Sequence, residues 1–280
     1  MKRFIFKGCF IFITLILAPC LLVAVARVCT TSIKWKLPPN KHILFMGASH
    51  IQCGINDSLT TNAINLASSS ERYMFTYNKL ERILKHNCQV DTIFLECAST
   101  DLFEHADDKY YKDNEMVAFY AKQYPLFNLK QWSIYLKKPF KAYSLLFRKN
   151  IVNYIKGVDY KYFCDMFLYR TQSLNKDSVY YKPVGGIYGN CINYEYLRKI
   201  IELCNSKNIK LYFLYCPVYK PEFYYDQDYY YNAYRENFND VELLDYSHFN
   251  IDIKDRYDAH HLNANGAIVF TNELKQRFNL

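Results

Sequence analysis

Short apolar runs alternate along the chain with longer segments in which apolar residues recur at helical spacing. Strands that are apolar throughout are typical of parallel sheets covered on both faces. The pattern predicts long helices that begin near 70, 194 and 265, and strands at 42–46, 63–66, 90–97, 209–216 and 241–246. We therefore predict an α/β fold of three layers, α/β/α, with a mainly parallel, flavodoxin-like sheet.

One long apolar run dominates the beginning of the chain. Basic residues precede a predominantly apolar stretch from 8 to 26, which is long enough to cross a bilayer. Their position predicts a cytoplasmic N-terminus and an exported domain on the periplasmic or extracytoplasmic side. We expect residues 1–29 to be a single-pass membrane anchor. The alternative is a signal peptide cleaved after Ala24-Val25-Ala26, which would release the domain into the same compartment.

The rest of the chain is predicted to be one domain. Residues 30–41, with Pro38-Pro39, form a polar linker, and residues 42–280 suit one α/β domain. Within it, residues 105–185 are basic, rich in tyrosine and mostly helical in spacing, and we interpret them as an insertion over the sheet. They carry most of the net charge of +8, but no nucleic-acid-binding module accompanies them. We therefore predict a solvated face near a membrane and no nucleic-acid partner.

The candidate chemistry begins with a serine that directly follows the first strand. In Gly47-Ala48-Ser49-His50, Ser49 is placed with its hydroxyl at the carboxyl end of the sheet and its backbone N–H towards a developing oxyanion. The motif G-x-S is weak by itself, because many proteins have such a turn.

The ten cysteines are scattered without zinc-binding spacing, so we expect no metal and no cofactor.

A second motif, D-x-x-H-L-N-x-x-G-A, begins at Asp258 near the other end of the chain. Acyl transfer by serine needs a base for the hydroxyl proton and a carboxylate that fixes the imidazole tautomer. Asp258 and His261 can fill these roles from a loop before the last helix, with a tight turn at Asn265-Gly266. His50 and His260 are expected to be positioning or surface residues, and a base role for His260 is the alternative.

In these segments the chain resembles the SGNH (GDSL-like) hydrolase superfamily. Ser49 matches its nucleophile block, residues 65–69 (NLASS) resemble its second block, and Asp258 and His261 match its last block. The resemblance is strongest to membrane-anchored members such as the D-alanine transfer proteins of teichoic-acid modification. Alginate O-acetylation proteins are similar more loosely.

The resemblance also implies where the oxyanion donors lie. The backbone of Ser49 and that of Ala67 or Ser68 would supply two of them. The third block, G-x-N-D, is replaced by residues 96–101 (ECASTD), where the side chain of Ser99 or Thr100 would stand in for the asparagine. Asp101 is either the acidic residue of that block or a helix N-cap.

The expected function is a serine esterase or O-acyltransferase that acts on an envelope glycan or lipid-linked saccharide. The resemblance implies a multi-span acyltransferase partner that hands over the acyl group. The alternative is a non-catalytic binding or assembly subunit of an envelope polysaccharide-modification system, whose altered blocks bind a polymer without turnover.

Overall fold

A computed structural model describes residues 35–103, 126–128, 131, 167–175, 194–221 and 226–280, together with residues 7 and 21. The chain divides into two units, Met1–Lys34 with Asp108–Phe163, and Trp35–Asp107 with Cys164–Leu280. Nearly all described residues belong to the second unit. The predicted membrane segment and most of the 105–185 insertion lie outside the described residues. Among the helices that are described, none has the length and apolar character needed to span a membrane.

The described residues of the second unit form a five-stranded sheet in which every strand pair is parallel. Each predicted strand is confirmed, with ends trimmed by one or two residues. The spatial order is β2-β1-β3-β4-β5, and the bounds are β1 Ile43–Met46, β2 Ala63–Asn65, β3 Thr92–Glu96, β4 Lys210–Tyr215 and β5 Glu242–Asp245.

Six α-helices are described in this unit. They are α1 Ser49–Gly54, α2 Tyr73–His86, α3 Ser99–Phe103, α4 Glu195–Ser206, α5 Gln227–Asn237 and α6 Ala264–Phe278. Short 3₁₀ turns lie at Asp57–Leu59 and Ile253–Asp255. The α2, α4 and α6 helices correspond to the three long helices that the sequence predicts.

Helices cover both faces of the sheet, so the predicted three-layer α/β fold is confirmed. On one face, Phe45 stacks on Phe94 with ring centroids 4.7 Å apart, and Phe270 and other α6 residues belong to the same buried cluster. On the other face, Phe213 packs against Phe238 just after α5, with centroids 5.9 Å apart. Side chains alternate between the faces of a strand, which explains why nearly every strand position is apolar.

The strand order creates a crevice at the carboxyl ends of β1 and β3. The chain leaves β1 to form β2 on one side, then returns to form β3 on the other side of β1. In open α/β sheets, ligands bind where the strand order reverses in this way. Ser49 directly follows β1 and Glu96 is the last residue of β3, so both lie at this crevice.

A buried ion pair fixes the turn after β2. Lys79 Nζ of α2 lies 2.7 Å from Glu71 Oε2, and both side chains have 0% exposure. The same ammonium group donates a hydrogen bond of 2.6 Å to the Leu66 carbonyl, and the Thr76 hydroxyl donates one of 2.9 Å to Glu71 Oε1. The pair thereby attaches the segment between Leu66 and Glu71 to α2.

Candidate active site

A glycine in an unusual conformation brings the chain from β1 to Ser49. Gly47 has φ of +143°, and a Cβ at this position would lie 2.3 Å from Glu96 Cβ. Both the conformation and the close approach to β3 therefore require glycine. Ser49 follows as the first residue of α1 and is half-buried.

Glu96 holds the turn that carries Ser49. Its Oε2 accepts hydrogen bonds from the backbone N–H groups of Ala48, at 2.7 Å, and Ile51, at 3.2 Å. Its Oε1 lies 2.9 Å from His50 Nδ1. Glu96 thus contacts the residues on both sides of Ser49. Sequence reasoning gave Glu96 no role; an acidic residue at the end of an otherwise apolar strand was the signal available.

The structure brings Ser49, His261 and Asp258 together in a hydrogen-bonded chain. His261 Nε2 lies 2.8 Å from Ser49 Oγ, although 212 residues separate them in sequence. His261 Nδ1 lies 2.9 Å from both Oδ1 and Oδ2 of Asp258. When the proton is on Nδ1, Nδ1–H donates to the carboxylate and Nε2 can accept the serine proton. This tautomer of His261 is the one that a general base needs.

Asp258 is held as a carboxylate by its own loop. Its Oδ1 accepts hydrogen bonds of 2.8 Å from the backbone N–H groups of His260 and His261. Burial opposes ionisation, but hydrogen bonding and charge interaction with His261, together with these backbone bonds, lower the pKa of Asp258 to about 2. The group is therefore ionised throughout the neutral range.

The residues after His261 anchor this loop to α6. Asn263 is the N-cap of α6, and its side chain accepts hydrogen bonds from the N–H groups of Asn265 and Gly266. A Cβ on Gly266 would lie 2.2 Å from the Asp255 carbonyl oxygen, so only glycine permits this packing. The expected tight turn at Asn265-Gly266 was wrong, because the cap at Asn263 places both residues within the first turn of the helix.

The predicted backbone donors after β2 already have acceptors. The N–H of Ala67 donates to Asn65 Oδ1 at 3.1 Å, and the N–H of Ser68 donates to the Gly47 carbonyl at 3.1 Å. By contrast, the N–H of Ser49 has no hydrogen-bond partner within the described ranges. Ser49 is therefore the predicted backbone donor that remains available to an oxyanion.

The predicted side-chain donor Ser99 is also engaged. Its hydroxyl is fully buried and lies 2.8 Å from the hydroxyl of Tyr215. The side chain of Thr100, the alternative donor, lies outside what the structure describes. Asp101 Oδ2 accepts a 2.9 Å hydrogen bond from the N–H of Ala98 at the start of α3, which is a capping interaction.

Two further histidines lie beside the triad. The ring centroid of His50 is 5.4 Å from that of His261 and 6.4 Å from that of His260. Burial opposes protonation of His50, but the adjacent Glu96 carboxylate outweighs it and raises the pKa of His50. Burial and the nearby charge of His50 lower the pKa of His260 to about 4, so His260 is uncharged at neutral pH.

Residues 167–175, from the predicted insertion, run along the site. The N–H of Leu168 donates to the Gln52 carbonyl of α1, and the Arg170 carbonyl accepts from the N–H of Ala264 in α6. The Arg170 guanidinium lies 4.0 Å from the centroid of the Tyr257 ring. This segment therefore connects the helix that carries Ser49 to the helix that follows His261.

The chain is distantly similar to a protein of known structure. No family model matches the chain, and no curated protein matches it. Among solved structures, it is similar to a Streptococcus pneumonia protein provisionally described as a platelet activating factor. The identity is 12% and the TM-score 0.42, over 99% of this chain and 98% of that one. Among the described residues, no group of three His, Cys, Asp or Glu side chains could hold a metal ion.

Proposed function

We propose that this protein is an SGNH-type serine esterase or O-acyltransferase. The observation that carries the proposal is the chain of hydrogen bonds from Ser49 Oγ through His261 to Asp258. In this chain the serine hydroxyl contacts the accepting nitrogen of the imidazole, and the ionised carboxylate contacts the other ring nitrogen. These are the nucleophile, base and orienting group that acyl transfer needs.

In the proposed reaction, Ser49 Oγ bonds to the carbonyl carbon of an ester while His261 Nε2 takes the hydroxyl proton. Asp258 stabilises the imidazolium that forms, and the N–H of Ser49 donates to the oxyanion. The intermediate then expels the alcohol, which takes the proton from His261, and leaves an acyl group on Ser49. Water or a saccharide hydroxyl next attacks the acyl group by the same steps in reverse, which gives hydrolysis or transfer.

The substrate class and location are proposed from the sequence. The apolar stretch at 8–26 would anchor the protein with its domain on the extracytoplasmic side, where envelope glycans and lipid-linked saccharides are found. The resemblance to membrane-anchored SGNH proteins supports a multi-span acyltransferase as the partner that supplies the acyl group.

Ester hydrolysis by the full chain tests the proposal. The purified protein in detergent would be assayed with p-nitrophenyl acetate, a small activated ester. Ser49→Ala and His261→Ala should each lower kcat by about 10⁴-fold or more, because both groups act in the same step. Ser206→Ala and His86→Ala are matched controls, since both residues are exposed at helix ends away from the carboxyl edge of the sheet. Equal turnover by the wild type and Ser49→Ala would reject the enzyme.

The second candidate is a binding subunit that uses the same fold without turnover. Its supporting observation is that Ala67, Ser68 and Ser99, the expected oxyanion donors beside Ser49, already have hydrogen-bond partners. Loss of one such donor lowers kcat by about 10²–10³ in serine hydrolases. Binding of an envelope glycan that Ser49→Ala leaves unchanged, together with no Ser49-dependent turnover, would favour this candidate.

A further inference from the structure

His50 lies at the site but has no role in the triad. It directly follows Ser49, its side chain is 10% exposed, and its Nδ1 lies 2.9 Å from Glu96 Oε1. Its ring is 5.4 Å from that of His261, measured between centroids. The contact of Nδ1 with Glu96 is an ion pair by distance without hydrogen-bond geometry, and no hydrogen bond to Nε2 occurs in the described part of the chain. Because Nδ1 faces the buried carboxylate, Nε2 is the nitrogen left to meet a substrate.

The surroundings of His50 favour its cationic form. Glu96, whose side chain is 3% exposed, is the group in direct contact with it. Burial raises the pKa of Glu96, but the positive charge of His50 and the backbone hydrogen bonds outweigh this and lower it, which favours the ionised carboxylate beside His50. Among the described residues, the other titratable groups near His50 are on α3 and on the loop before α6: Asp101, Asp258, His260 and His261.

Within the described residues, the oxyanion donors predicted after β2 and in the third block are engaged elsewhere. The hydroxyl of Ser99 contacts Tyr215 instead, and the N–H groups of Ala67 and Ser68 have acceptors within the fold. A reaction that forms a negative charge in a partly buried site needs donors or positive charge aimed at that charge. His50 is on the same helical turn as Ser49, and in its cationic form both of its ring nitrogens carry a proton.

We propose that His50, fixed by Glu96, donates its Nε2–H to the oxyanion that forms when Ser49 attacks an ester. Glu96 is then a positioning residue, which acts through His50 and through the N–H groups of Ala48 and Ile51. No proton leaves His50: the electron pair of the carbonyl moves onto oxygen, the serine proton goes to His261, and His50 stabilises the resulting charge. This inference rests on the proposed function.

Steady-state kinetics of the full chain test the inference. Because an imidazolium is required, wild-type kcat for p-nitrophenyl acetate should fall as the pH rises through the elevated pKa of His50. His50→Gln removes the charge and should lower kcat by about 10²–10³ with little change in KM, since the contact forms only in the transition state. Its pH profile should also lose the decline at high pH. Glu96→Gln should move that decline to lower pH, an effect that a purely structural role would not produce.

The outcomes separate the inference from the proposed function. Ser49-dependent turnover that His50→Gln leaves unchanged would overturn the role of His50 and keep the esterase. Turnover equal in wild type and Ser49→Ala would overturn both. If circular dichroism shows that His50→Gln does not fold, the pH dependence of wild-type kcat decides. A kcat that declines above pH 6.5 supports the inference, and a kcat that stays constant there overturns it.

Discussion

Lys79→Met is expected to destabilise the protein strongly, because it removes the cation from a buried carboxylate. Lys79 Nζ lies 2.7 Å from Glu71 Oε2 and 2.6 Å from the Leu66 carbonyl, and both side chains of the pair are fully buried. Breaking a buried pair by removing one partner costs about 3–5 kcal/mol. Methionine fills most of the space of the lysine stem. The decrease in the free energy of unfolding therefore reflects the lost charge and hydrogen bonds more than a cavity.

Urea unfolding of the full chain in detergent, followed by circular dichroism, measures this loss. With a urea dependence of about 2 kcal/mol per molar, a cost of about 4 kcal/mol lowers the midpoint by about 2 M. Glu71→Met with Lys79→Met should recover part of it, because no charge stays buried. Lys85→Met is the control on the same helix: its ion pair with Glu81 is exposed, and exposed pairs contribute at most about 1 kcal/mol. A midpoint for Lys79→Met equal to that of Lys85→Met would refute the reasoning.

Three other changes test the site and its support. Asp258→Asn should lower kcat by about 10⁴-fold, because His261 loses the carboxylate that fixes its tautomer; a loss below tenfold in esterase assays would contradict this. Gly47→Ala should lower the melting temperature far more than Gly54→Ala. The new Cβ at position 47 would lie 2.3 Å from Glu96 Cβ, whereas a Cβ at position 54 would have its nearest neighbour 3.7 Å away. Equal shifts in melting temperature would contradict this. Burial and the charge of Glu96 raise the pKa of Asp101 to about 7. Between about pH 4 and 7 the native state therefore keeps a proton that the unfolded state has released, so the free energy of unfolding falls as the pH rises through this range. The melting temperature of Asp101→Asn relative to wild type should therefore be higher at pH 8 than at pH 5. Equal differences at the two pH values would contradict this.

The sheet could be predicted from sequence because its strands are almost continuously apolar. Each strand of this kind must be buried on both faces, and the intervening helical periodicity then implies parallel crossovers. Ser49 and His261 could be paired for a different reason: G-x-S is weak by itself, but here it follows the first strand while the longer motif that begins at Asp258 follows the last. Strand ends were less predictable, since Leu66 and Cys97 continue the apolar pattern by one residue past the ends of β2 and β3.

The contacts of Glu96 and Lys79 could not be predicted in this way. Glu96 reaches the turn around Ser49 only because β1 and β3 are neighbours with Met46 opposite Leu95, a register that the pattern does not specify. Lys79 looks like a surface residue of α2 until Glu71 and the Leu66 carbonyl are seen to surround its ammonium group. Both contacts depend on tertiary packing of polar groups, for which hydrophobic periodicity carries no signal.

Labelling with a fluorophosphonate probe tests the central claim most directly. The full chain would be treated with the probe, and mass spectrometry would locate the modified residue. We predict modification of Ser49 that is lost in His261→Ala and kept in His86→Ala, because phosphonylation needs a serine activated by its base. A folded wild-type protein that stays unlabelled at Ser49, or is labelled equally well in His261→Ala, would contradict the assignment of an activated serine.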